Sequence, residues 1–121
     1  MDISEVTENL YIASRFYEVD GDWPHGAVAI DCAMMLDDKP CTNGELRDVE
    51  DYAFATWKLL GLGVPVVLVC EAGRNRSALI AAAVLKLKGW EAKDAIDHVR
   101  HVRSFLNGGA LTNQSFVDYL S

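Results

Sequence analysis

The sequence is poor in cysteine, in proline and in long apolar runs, and these scarcities exclude several classes of protein. Its three cysteines, Cys32, Cys41 and Cys70, are too few and odd in number for a disulfide framework, which indicates a reducing compartment. No apolar stretch reaches the roughly 18 residues that a membrane helix needs. Residues 1–10 are acidic, where a signal peptide would be basic and then apolar. We therefore expect a soluble, cytoplasmic protein without a membrane partner.

Basic residues are also scarce. The 11 lysines and arginines are outnumbered by 18 aspartates and glutamates, and the net charge of −7 argues against nucleic acid as a partner. Residues 1–69 carry 13 acidic and 4 basic side chains, whereas residues 70–121 carry 5 acidic and 7 basic ones. A site for an anion is therefore expected in the second half, although two solvated faces of one domain would give the same distribution.

The pattern of apolar residues predicts one compact domain over residues 1–121. Apolar runs predict strands at 10–13, 27–33 and 64–70. Helical spacing predicts a helix from a Thr42 capping box to Leu60, one from Ala78 to the Lys88-Gly89 end, one over 92–102, and a short one capped by Thr112-Asn113. The continuous, β-branched 64–70 run is typical of a strand buried on both faces. We therefore predict an α/β fold with a central, mostly parallel sheet flanked by helices.

Two further patterns have ordinary structural explanations. Val49, Ala53 and Trp57 repeat at helical spacing, so Trp57 is expected to pack in the core. His98 and His101 lie three residues apart on a predicted helix, a spacing that a metal site could use. Because the sequence supplies no clustered third ligand, we expect a solvated helix face and no metal.

The segment Cys70-Glu71-Ala72-Gly73-Arg74-Asn75-Arg76-Ser77, here called the 70–77 loop, joins the buried strand to the next helix. A loop that enters a helix N-terminus directs unpaired backbone N–H groups at one point, where the helix dipole favours an anion. Gly73 leaves room for the loop to curl, and Arg76 supplies a planar guanidinium that can hold two phosphate oxygens. Cys70 would face the same point as a nucleophile. Glu71 is expected to point outward, because its charge would oppose thiolate and phosphate alike.

These residues resemble the signature of the cysteine-dependent protein tyrosine phosphatases, which is His-Cys, five residues, Arg, and Ser or Thr (the CX5R loop). The similarity is closest to the small dual-specificity branch and extends from residues 9–14 to 113–120. The resemblance implies that Cys70 is the nucleophile, Arg76 the phosphate clamp and Ser77 the hydroxyl that helps the thiolate leave. It assigns the residues between them, Glu71, Ala72, Gly73, Arg74 and Asn75, to the phosphate-binding loop. By side chain, Arg74 and Asn75 are otherwise expected to be ordinary loop residues.

The resemblance also implies a general acid, an aspartate about thirty residues before the cysteine. Asp38 lies 32 positions before Cys70 and Asp37 lies 33 before it, on a predicted loop. Spacing does not separate the two neighbours, and both could belong to a solvated turn. We assign Asp38 as the acid and keep Asp37 as the alternative.

One residue departs from the family pattern: Val69 stands where the family has histidine. That histidine orders the loop around the cysteine, so its absence favours a non-catalytic phosphate-binding protein as one alternative. A phosphatase of RNA 5′ ends or inositol phosphates is another alternative. Such substrates usually call for extra basic residues around the cleft, and only Arg74 and Lys39 are candidates for that role. The function predicted first is hydrolysis of phosphomonoesters, on phosphotyrosine and also phosphoserine or phosphothreonine, through a phosphocysteine and without metal or cofactor. The expected partner is a phosphorylated protein or a small phosphoester.

Overall fold

The computed structural model of the chain describes residues 3–14, 23–32, 43–71, 74–106 and 108–121. Its strands are β1 (Ile3–Thr7), β2 (Leu10–Ser14), β3 (Val28–Asp31) and β4 (Val66–Cys70), and its helices are α1 (Asn43–Gly61), α2 (Arg76–Leu87), α3 (Ala92–Val102) and α4 (Gln114–Leu120). Both candidate acids, Asp37 and Asp38, lie outside the described residues, as do Cys41, Ala72 and Gly73. None of the described helices is long and apolar enough to cross a membrane.

The four strands form one sheet in the order β1-β2-β4-β3. Strands β2 and β3 both pair with β4 in parallel, so Ser14, Asp31 and Cys70 lie at the same edge of the sheet. Strand β1 is antiparallel to β2. All five residues of β4 are buried, as its continuous apolar run predicts. The chain is therefore a single α/β domain with a mostly parallel sheet.

Side chains of β4 alternate between two apolar clusters on opposite faces of the sheet. Val66, Leu68 and Cys70 belong to the larger core, to which all four described helices contribute. Val67 and Val69 belong to a smaller cluster with Ala13. Cys70 therefore faces the helices, and its neighbour Val69 faces the other way.

The sequence prediction missed β1, a short strand at the edge of the sheet. Its sequence ISEVT has one fully buried residue, Val6. An edge strand needs little apolar sequence, because only part of its surface meets the core. The structure also starts β4 at Val66 rather than Val64. The N–H of Val64 donates to Leu59 O at 3.0 Å and closes the turn after α1, and Pro65 has no N–H to offer a neighbouring strand.

The buried stripe of α1 differs from the predicted one at one position. Val49, Ala53 and Thr56 are buried, whereas Trp57 is 40% exposed, so the expectation that Trp57 packs in the core is wrong. Adjacent helical residues point about 100° apart. The small Thr56 takes the inward direction, and the larger Trp57 lies at the rim, where its ring contacts Phe54 at a centroid distance of 5.8 Å.

His98 contributes to packing, so a solvated helix face is the wrong description for it. Its Nε2 lies 2.6 Å from the carbonyl oxygen of Val6 in β1. Its ring is 5.1 Å from that of Trp90. His98 thus links α3 to the edge strand. The described part of the chain holds no group of three residues suited to binding a metal.

Candidate active site

The described ends of the 70–77 loop lie at the edge of the sheet where the parallel strands end. Cys70 is the last residue of β4, and Arg76 is the first residue of α2. In open α/β sheets this edge is where ligands bind, because strand ends and helix N-termini converge there. Helix α2 begins two residues earlier than the apolar run from Ala78 predicts, so Arg76 and Ser77 belong to its first turn.

The side chains of Cys70 and Ser77 meet in this turn. Sγ of Cys70 lies 3.1 Å from Oγ of Ser77, and both residues are buried. A hydroxyl at this distance can donate a hydrogen bond to a thiolate, and hydrogen bonds to charged groups are the stronger ones. The pairing is the one expected for a nucleophile and the group that stabilises it as it leaves.

Cys32 lies beside this pair without sharing its chemistry. Burial raises the pKa of the Cys32 thiol above its ordinary value of 9.0, and the negative charge of Cys70 raises it further, whereas Arg76 lowers it. Cys32, Cys70 and Arg76 are therefore close enough to form one electrostatic group. Within that group, Cys32 remains a protonated thiol at neutral pH.

Val69, which stands where the phosphatase signature has histidine, is buried on the opposite face of the sheet from Cys70. Its backbone is held on both sides, because it pairs with Ala13 in β2 and with Asp31 in β3. Its carbonyl also accepts a hydrogen bond of 2.6 Å from the N–H of Cys32. The residue before Cys70 is thus fixed by main-chain hydrogen bonds rather than by a polar side chain.

Asn75 is the residue whose role sequence reasoning missed. Its buried side chain bridges the loop to the segment before α4. Oδ1 accepts from the N–H of Thr112 at 2.6 Å and from that of Asn113 at 3.1 Å, while Nδ2 donates to Thr112 Oγ1 at 2.9 Å. The expectation of an ordinary loop residue is therefore wrong. Asn75 stands at the N-cap position, where asparagine is common, but its side chain makes no capping hydrogen bond to its own helix.

Arg74 is also held by the segment that follows α3. Its carbonyl accepts a hydrogen bond of 2.9 Å from the N–H of Leu111. Its side chain lies against Gly108, where an added Cβ would come within 3.1 Å of Nη1. Gly108 also has a φ of +88°, a conformation that favours glycine. The structure thus places Arg74 against the segment that follows α3. Glu71 is exposed, as expected.

The segment between α3 and α4, which contacts Arg74 and Asn75, is held by its own hydrogen bonds. Arg100 in α3 donates to the carbonyls of Ala110 at 3.4 Å and Leu111 at 3.0 Å. Asn113 then caps α4, as predicted, by accepting from the N–H of Ser115 at 3.0 Å. The 70–77 loop is therefore hydrogen-bonded to a segment that is itself held by α3 on one side and by α4 on the other.

We expect Asn75→Ala to lower the free energy of unfolding by about 1 to 3 kcal/mol, because it removes the hydrogen bonds that the buried Asn75 side chain makes to Thr112 and Asn113, each worth about 1 kcal/mol. Chemical denaturation measures this loss. Gln114→Ala, which removes an exposed side chain from the same segment, is the control and should change stability little. Equal free energies of unfolding for the two variants would show that the Asn75 hydrogen bonds do not stabilise the fold.

No protein-family model matches the chain, and no curated protein matches it. Solved structures do. Human DUSP28 shares 18% identity at a TM-score of 0.73, over 99% of this chain and 90% of that one. The human tyrosine phosphatase-like serine/threonine/tyrosine-interacting protein shares 20% identity at a TM-score of 0.70, over 98% of this chain and 93% of that one.

OH1 from the Orf virus, a tyrosine phosphatase with triple substrate specificity, shares 17% identity at a TM-score of 0.68. The match covers 99% of this chain and 84% of that one. These similarities span nearly the whole chain, and they concern its architecture. The chain therefore has the fold seen in these solved dual-specificity and tyrosine phosphatases.

Proposed function

We propose that residues 1–121 form one phosphatase domain that hydrolyses phosphomonoesters through Cys70. The observation that carries the proposal is the 3.1 Å contact between Cys70 Sγ and Ser77 Oγ, made where β4 ends and α2 begins. A buried thiol at a helix N-terminus, next to a hydroxyl and an arginine, suits attack on a tetrahedral anion. The fold shared with solved phosphatases supports the same function.

In the first step, the Cys70 thiolate attacks phosphorus in line with the leaving oxygen. The S–P bond forms, the P–O bond breaks, and Asp38 gives its proton to the leaving alcohol or phenol. Arg76 and the N–H groups at the start of α2 hold the equatorial oxygens as their charge develops.

In the second step, water attacks the phosphocysteine. Asp38, now a carboxylate, takes a proton from that water, the new P–O bond forms, and the S–P bond breaks. Ser77 donates its hydroxyl to the sulfur as the thiolate departs. Phosphate leaves, and neither metal nor cofactor takes part in the proposed cycle.

A second candidate is a protein that binds phosphate without turning it over. The apolar surroundings of Val69 favour it, since no imidazole orders the loop there. One of the similar structures is a phosphatase-like interacting protein. Against it, the main-chain bonds of Val69 and the Asn75 bridge hold both sides of the loop without a histidine. We therefore keep turnover as the primary proposal.

The proposed substrates are phosphotyrosine and, in second place, phosphoserine and phosphothreonine. The net charge of −7 disfavours polyanions such as RNA 5′ ends or inositol phosphates. Arg74, a cation that could help to bind such substrates, lies against Gly108 instead.

We also propose a cytoplasmic location, because a catalytic thiol works only while it is reduced, and Cys32 and Cys70 are both free thiols.

The test is hydrolysis of an aryl phosphate by the purified protein in the presence of a chelator. We expect turnover, inhibition by vanadate, and a preference for phosphotyrosine in a panel of phosphopeptides, a phosphoinositide and an RNA 5′-triphosphate. Phosphate binding without turnover would establish the binding protein instead. Activity that the chelator removes would exclude the thiol mechanism.

The general acid gives a separate prediction. Asp38→Asn should lower the rate by a factor on the order of 10² to 10⁴ with a poor leaving group, and by less with a good one, because only the poor one needs the proton. Asp37→Asn is the matched control and should have a small effect. The reverse order would move the role to Asp37, and two unaffected variants would exclude both.

A further inference from the structure

Helix α1 exposes large apolar side chains on the face that turns away from the core. Phe54 is 49% exposed and Trp57 is 40% exposed, and Leu62, just beyond the helix, is 78% exposed. Leu87 at the end of α2 is exposed beside them. We call these four residues the α1 patch. Clusters of exposed apolar residues on a small domain mark surfaces that bind a partner.

Two grooves extend the α1 patch on the surface. One, of about 670 Å³, is lined by Phe54 and Leu87 together with small side chains such as Ala53 and Ala83. The other, of about 470 Å³, is lined by Trp57 and Leu62. Each groove thus contains two residues of the α1 patch, so the apolar surface continues from α1 to α2.

Charged residues flank Phe54 in a defined order. Asp51 lies three residues before it and Lys58 four residues after it, so all three share one face of α1. Both charged side chains are exposed. Lys58 Nζ lies 5.2 Å from the centre of the Phe54 ring. Along this face, the helix therefore presents an acid, an aromatic ring and a base.

We propose that this face binds a second copy of the chain, with the two α1 helices antiparallel and a two-fold axis beside Phe54. A two-fold rotation reverses the helix, so it brings the partner's Lys58 opposite Asp51, and symmetry makes the same pair twice. At 1.5 Å of rise per residue, Asp51 and Lys58 lie about 4.5 Å and 6 Å from Phe54 along the helix. The two pairs therefore come into register almost without adjustment.

The charge order is what selects a second copy as the occupant. An unrelated partner would have to present a base, an aromatic residue and an acid in the reverse order, and an antiparallel α1 does so automatically. A stable dimer of ordinary size buries about 800 Å² per partner, roughly an eighth of the 6450 Å² surface of this chain. The α1 patch and its two grooves supply surface on both α1 and α2 for such a contact. The proposal does not depend on phosphatase activity.

Sedimentation equilibrium over a range of protein concentrations tests the dimer. We expect the wild type to associate, and Asp51→Lys and Lys58→Glu each to weaken association at least tenfold, because each places like charges together twice. An equal mixture of the two variants should associate again, since both pairs then have opposite signs. Asp48→Lys makes the identical charge change six residues before Phe54, about 120° away from that ring around α1, and should associate like the wild type.

Two results would overturn the proposal. The first is a wild type that stays monomeric at concentrations on the order of 1 mM, near the weak end of specific association. The second is a mixture of Asp51→Lys and Lys58→Glu that associates no better than either variant alone. That mixture separates the proposed pairing from a general effect of charge on α1, because the folded state of each variant is the same alone and in the mixture.

Discussion

Cys70→Ser is expected to lose turnover of aryl phosphates by a factor on the order of 10⁴ to 10⁶ while it still binds phosphate. A serine hydroxyl holds its proton far more tightly than a thiol, so it is a much weaker nucleophile at neutral pH. The groups proposed to bind phosphate, Arg76 and the N–H groups of α2, are unchanged. Steady-state kinetics measures the loss, and titration calorimetry with inorganic phosphate measures the retained binding.

Cys32→Ala is the matched control, because Cys32 is the neighbouring buried thiol. Burial and the charge of Cys70 raise the pKa of Cys32, so it stays protonated and should contribute no nucleophile. Its replacement should leave kcat close to that of the wild type. If Cys32→Ala loses turnover and Cys70→Ser keeps it, the nucleophile has been assigned to the wrong cysteine.

Arg76→Lys is expected to lower kcat by about 10²- to 10³-fold, the range found when one preorganised donor is removed from a developing charge. Lysine keeps the positive charge but cannot hold two equatorial oxygens in one plane. Arg74→Lys, the same change two residues earlier, should cost much less, because that side chain lies against Gly108. Equal kinetics for Arg76→Lys and the wild type would show that Arg76 is not the clamp.

The sequence predicts the parts of the fold that carry strong local patterns. The buried run that ends in Cys70 and the apolar helix after it are continuous in sequence, and both are present in the structure. Strand β1 lacks such a run, because its neighbour β2 and helix α3 supply most of its contacts. The prediction that Trp57 packs in the core is wrong for a related reason. Helical spacing alone does not distinguish the buried Thr56 from its larger, partly exposed neighbour.

In the candidate site, too, the contacts between residues close in sequence could be predicted and those between distant residues could not. Cys70 and Ser77 are seven residues apart, and a strand-loop-helix turn is enough to predict that they meet. Asn75 and Thr112 are 37 residues apart, so their hydrogen bonds depend on the docking of the segment between α3 and α4. No local pattern of residues encodes that docking. The position of Val69 on the far face of the sheet follows from strand alternation, but its main-chain support from Cys32 requires the structure.

Trapping the covalent intermediate tests the central claim most directly. The wild-type protein is mixed with an aryl phosphate, quenched in acid within its first turnovers, digested and analysed by mass spectrometry. We predict one phosphoryl group on the peptide that contains Cys70, and none on that peptide from Cys70→Ser. Turnover without any phosphorylated Cys70, or with the phosphoryl group on another residue, would contradict the account.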